Sequence, residues 1–173
     1  SGTYAFMLRF DEAEPIAAEG MALSIEIGNR EYQAGIFTTQ GLLHWRRGDL
    51  EAAIHAETQG AETAAMIGLV AMVVIGDWGA AWMQWQRGEY EPAIHHLQRA
   101  QAYAVPYQEF MPLLSVMAES ELGSIMFDAG TDRDAALAMH KNALALSENP
   151  IGGMANGSAW ADIGWCAMNL GDL

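Results

Sequence analysis

The chain has 173 residues, 51% of them hydrophobic, which suffices for one sizeable core or a short array of repeats. Only 17% of residues are charged, and 22 acidic against 8 basic side chains leave a formal net charge of −14. That balance argues against nucleic acid and against an anionic membrane surface, since both are gripped by Lys and Arg, and it favours basic partners.

Apolar residues recur at helical spacing along almost the whole chain, and nothing reads as a strand. The pattern predicts a first helix over 11–26 and a second over 30–47. Residues 42–54, LLHWRRGDLEAAI, then close the second helix at Gly48 and open a third over 50–66. Residues 64–75 are twelve apolar residues without a break. That is too short to cross a bilayer and is usual for a buried helix. A fourth helix is predicted over 69–87 and a fifth over 89–103, with residues 81–94, AWMQWQRGEYEPAI, at their junction. A sixth is predicted over 108–129, where Pro112 in the second turn implies a late start or a kink. Residues 124–137, SIMFDAGTDRDAAL, lead into a seventh over 133–146. The strongest loop signal, SENPIGGMANGS, covers 147–158 and overlaps the start of a last helix over 154–170, which closes in WCAMNLGDL.

These junctions repeat. The turn glycines Gly48, Gly88, Gly130 and Gly171 are 40, 42 and 41 residues apart. Seven residues before each stands a small residue: Gly41, Ala81, Gly123 and Gly164. An alanine follows each of the first three turns at Ala53, Ala93 and Ala136, and another small residue lies one helical stretch later at Gly60, Ala100 and Ala143. Small residues at recurring helical positions let helix backbones approach closely. Glycine at the turn adopts a positive φ and ends the first helix. The acidic residue after it (Asp49, Glu89, Asp172) suits the positive end of the next helix. Repeats are thus expected over 1–28, 29–68, 69–107 and 108–150, with a partial one over 151–173, forming a single domain over 1–173.

The repeat resembles the tetratricopeptide family. Its signature of an aromatic, Leu-Gly, an aromatic, Gly-Asp and spaced alanines is best matched by Trp160, Ile163-Gly164 and Ala167 with Gly171-Asp172-Leu173. Gly48-Asp49-Leu50 with Ala53, and Gly88-Glu89-Tyr90 with Ala93, Leu97 and Ala100, match well. Departures are the period of about 40 instead of the family's 34, Ala81 at the signature glycine, and Glu57 where an aromatic is usual. The long period is similar to a variant found in bacterial signalling and regulatory proteins. The resemblance implies an all-α, right-handed α-solenoid of antiparallel helix-turn-helix pairs, about eight helices in all. Because the chain stops at Leu173 just after a turn glycine, it reads as a fragment of a larger protein.

Trp78, Trp82 and Trp85 stand at i, i+4 and i+7 and share one helix face. In the tetratricopeptide family the first helix of each pair lines a concave surface. That implies a partner-binding groove of Thr38, Leu42, Trp45, Arg46, Trp78, Trp82, Trp85, Phe127 and Trp165. Trp and Arg are enriched at binding hot spots, although tryptophans at such spacing also serve as packing between repeats.

No catalytic constellation is visible. His44, His55, His95, His96 and His140 show no metal-ligand spacing, and Asp128, Asp132 and Asp134 lack the full pattern of a calcium loop. There is no phosphate-binding glycine loop or nucleophile elbow. The single cysteine, Cys166, permits no internal disulfide and fits a reducing, cytoplasmic setting. The expectation is a non-enzymatic module without cofactor or metal that binds a protein or peptide in a Trp-lined groove. The alternative is a ligand-sensing or self-associating part of a larger regulator carrying an ATPase, cyclase or transcription-factor output.

Overall fold

The computed structural model describes residues 10–147. They form seven α-helices: α1 (Phe10–Glu26), α2 (Arg30–Arg46), α3 (Leu50–Met66), α4 (Val70–Gln86), α5 (Tyr90–Ala104), α6 (Pro112–Ala129) and α7 (Arg133–Ser147), with a 3-10 turn at Val105–Tyr107. No strand occurs among the described residues. The expected last helix over 154–170, and Trp160, Gly164, Trp165 and Gly171 with it, lie outside them.

The 40-residue step has a simple mechanical origin. Helices α1 to α4 are each 17 residues long, and turns of three residues separate them. Gly48 and Gly88 make the turn within a pair, at φ 78° and 76°, while Gly28 and Gly68 make the turn between pairs, at 67° and 71°. The glycine step is therefore 20 residues, half of the repeat. After each of these glycines the next backbone N–H donates to a carbonyl five residues back. The bonds are Asn29 to Ser24 (2.8 Å), Asp49 to His44 (3.0 Å), Leu69 to Ala64 (3.0 Å) and Glu89 to Gln84 (2.9 Å). This left-handed closure satisfies carbonyls that a helix end otherwise orphans.

Asn29 and Asp49 cap the following helices through their side chains, each accepting an N–H at 3.1 Å, from Tyr32 and Ala52. Asp132 does the same for α7, accepting from Ala135 N at 2.9 Å. Glu89 occupies the same position without such a bond. Its longer side chain pairs instead with Arg87, at 2.8 Å.

Pro112 causes no kink. Helix α6 starts there, four residues later than the periodicity predicts, so the missing N–H falls at a position that has no intrahelical partner anyway. The apolar run 64–75 is not one segment: it ends α3, passes through the Gly68 turn and begins α4. Among the described residues no helix is long and apolar enough to cross a membrane.

Packing follows the repeat. Helices stack in sequence, α2 on α3, α3 on α4, α4 on α5, α5 on α6 and α6 on α7. Across repeats α2 meets α4 and α4 meets α6, whereas α3 and α5 have no comparable contact. The α2–α4–α6 row is the tighter side of the stack. The small residues sit where helices cross: Ala53, Ala93, Ala100, Ala136 and Ala143 are fully buried. At Gly76 an added Cβ would lie 2.8 Å from the Glu57 carbonyl oxygen. The architecture is an all-α, solenoid-like repeat fold.

An ion pair reaches into the stack. Asp77 of α4 is 0% exposed, and Arg99 of α5 donates to both its oxygens at 2.6 Å while the His96 Nδ1 lies 2.7 Å away. This bidentate geometry is what a buried carboxylate requires, and the bond to Asp77 raises the Arg99 pKa above its usual value.

Candidate functional site

A cleft of about 330 Å³ opens between α2 and α4. From α2 it takes Gly35, Thr38, Thr39 and Leu42, which lie at i, i+3, i+4 and i+7 and so form one stripe of that helix. From α4 it takes Met72, Ile75, Trp78, Gly79, Trp82 and Met83. Helix α3 contributes one residue, Glu57, between the two. The walls are apolar and the floor carries a carboxyl group.

The tryptophans form a connected wall. Trp78 and Trp82 are parallel, with ring centroids 6.2 Å apart and planes within 1°, as their i, i+4 spacing on α4 dictates. Trp45 of α2 tilts against Trp82 at 4.9 Å, and its indole N–H donates to Gln86 at 3.3 Å. All three rings are half-buried. Trp78 and Trp82 line the cleft while Trp78 also packs on the Leu97 and Leu122 cluster. Thr38 and Leu42 are likewise half-buried on the cleft wall.

The remaining residues predicted for the groove go elsewhere. Trp85 faces the next repeat: its indole donates to Asp128 of α6 at 2.9 Å, and the ring packs on the cluster that contains Leu97 and Leu122. Phe127 is 5% exposed and packs on Ala136, with the Arg133 guanidinium 5.1 Å from its ring centre, so it is core and not part of this cleft. A turn-proximal aromatic of a helix that is covered by its own partner, α7, has no open side. Arg46 is exposed but lies over Phe10 of α1, at 5.5 Å, and lines a separate hollow with Glu12 and Glu14. Trp165 lies outside the described residues.

Glu57 was not among the predicted site residues. It is 4% exposed, and its Oε2 and the nearby Thr38 hydroxyl are both buried without a well-formed hydrogen bond. Burial pushes its carboxyl up to about 9, with Thr38 pulling weakly the other way. Two glycines make room for it. An added Cβ at Gly41 of α2 would overlap the carboxyl, and one at Gly79 of α4 would stand 2.9 Å from its Cδ. The signal was present in fragments: Gly41 is one of the recurring small residues, and Glu57 is a departure from the tetratricopeptide signature. The 40-residue spacing does not join Gly41, Glu57 and Gly79, because they meet only where three helices converge.

The other ionisable clusters are accounted for. Asp128 is engaged by Trp85 and Asp132 by the α7 N-terminus. Among the described residues no three His, Cys, Asp or Glu side chains gather as metal ligands do. His140 is fully buried, lying against Gly123.

No family model matches the chain, and no curated protein does. Among solved structures it is similar to BtubC (BKLC) from P. vanneervenii, with a TM-score of 0.78 over 98% of this chain and 69% of that one. The two are 20% identical. At that identity the likeness is one of fold.

Proposed function

We propose that the chain is a tetratricopeptide-like, non-catalytic interaction module that holds an extended segment of a partner protein against its α2–α4–α6 face. The observation that carries this reading is the cleft between α2 and α4, where the half-buried Trp78 and Trp82 line a 330 Å³ hollow and Trp45 packs on Trp82. Large, stiff aromatic side chains give contact area at little entropic cost, and hot spots concentrate where such side chains line a pocket. A chain of net charge −14 repels acidic partners and attracts basic ones.

The test is a panel of immobilised extended peptides probed with the wild-type domain and with Trp82→Ala, the variant's helicity being checked by circular dichroism. Loss of a hot-spot residue costs about 2 kcal/mol or more, so peptides held by the wild type should bind about 30-fold more weakly to the variant. Unchanged binding by the folded variant would move the partner site off this cleft, and the absence of any bound peptide would count against the interaction reading.

A further inference from the structure

Glu57 is an expensive residue for its place. A buried carboxyl group without a good hydrogen bond lowers stability, and apolar residues of similar size would pack the same space more favourably. The leucine at the corresponding place in the next repeat, Leu97, does so and is fully buried. At Glu57 the surroundings are instead shaped around the carboxyl, with glycines on both flanking helices. Gly79 lines the cleft beside Glu57, and among the described residues Glu57 is the only ionisable one that lines it, with no cation from α2 or α4 beside it.

We propose that this cleft is a binding site for a lysine side chain of the partner segment, its alkyl stem lying along the Trp78 and Trp82 rings and its ammonium meeting the Glu57 carboxylate at the floor. The proposal rests on the interaction reading above and assigns that site its ligand chemistry. Three features converge on it. The walls are apolar, which suits a four-carbon stem. The Trp faces attract a cation through their quadrupoles. The floor has a buried carboxyl oxygen and the Thr38 hydroxyl, neither in a well-formed hydrogen bond, and an ammonium can donate to both. The chain's net charge of −14 draws such a ligand in.

The proton balance is simple. In the empty cleft burial holds Glu57 protonated at neutral pH. An arriving ammonium restores the ionised form, so one proton leaves Glu57 for solvent as the ion pair forms. No other titratable group from α2 or α4 lines the cleft, so Glu57 accounts for the proton released. Lysine binding should therefore strengthen as pH rises towards about 9.

The experiment uses the whole chain and two probes, N-acetyl-lysine methylamide and N-acetyl-norleucine methylamide, which share the stem and differ in the ammonium. Indole N–H signals of Trp78 and Trp82 are followed by NMR in the wild type and in Glu57→Gln. The expected result is saturable shifts from the lysine probe, at least about tenfold tighter than from norleucine, with that preference lost in the variant. A second titration at pH 8.5 should be tighter than one at pH 6.5 in the wild type alone. Equal binding of both probes at these indoles would overturn the lysine assignment and leave the groove standing. A lysine preference that survives in Glu57→Gln would also overturn it, assigning the attraction to the general negative charge. If neither probe moves either indole, the lysine site and the groove reading fail together.

Discussion

Replacing Glu57 with glutamine should make the protein less sensitive to pH, in a definite direction. The carboxyl is 4% exposed and is pushed up to about 9, whereas in the unfolded chain it titrates near 4.5. Between those values the native state holds a proton that the unfolded state has released. Stability contributed by this group is therefore complete below about pH 4.5 and is lost as pH rises towards 9. The loss amounts to about 1.4 kcal/mol per pH unit, or roughly 3 kcal/mol at pH 7, and water entering the open cleft reduces it to about 2–3. Glutamine is nearly isosteric and does not titrate, so the variant loses this dependence.

The assay is urea unfolding of both proteins between pH 4.5 and 8. The fixed difference between them depends on how the amide finds partners in the cleft, and it is not the test. The change in that difference with pH is the test. The variant should gain about 2–3 kcal/mol on the wild type between pH 4.5 and 7, which is roughly 4–12 °C in melting temperature for a chain of this length. Parallel pH profiles would refute the reasoning, since they would mean that Glu57 is solvated or paired in the folded protein.

Two further outcomes follow from the packing. Asp77→Asn removes the charged acceptor that Arg99 and His96 share, and should cost about 3 kcal/mol by denaturant unfolding; a cost below about 1 would show the buried pair to be dispensable. Gly41→Ala should destabilise the wild type by about 1–3 kcal/mol through overlap with the Glu57 carboxyl, and by much less in a Glu57→Ala background. Additive effects in that double-mutant cycle would place the Gly41 constraint elsewhere.

The helices and turns were legible because they are encoded locally and then repeated. Gly48 and Gly88 end their helices by backbone geometry that depends on few neighbours, and Asp49 caps within its own first turn. Pro112 shows the limit of local reading: periodicity continues back to residue 108, but the backbone makes a 3-10 turn at Val105–Tyr107 and lets the proline begin α6. The tryptophans show a second limit. Trp78, Trp82 and Trp85 share one face by spacing, yet Trp85 is captured by Asp128 from the next repeat and only the other two line the cleft. Phe127 stands on a comparable helix but is covered by α7.

The sequence by itself determined the repeat, since a 20-residue alternation of 17-residue helices and glycine turns needs only local conformational preference and a periodic apolar face. Only the tertiary structure decided the site. Gly41, Glu57 and Gly79 belong to three different helices, and their shared property is a volume that exists only once those helices pack. Burial, and with it the shifted carboxyl at the floor of the cleft, is a property of that packed arrangement and of no residue alone.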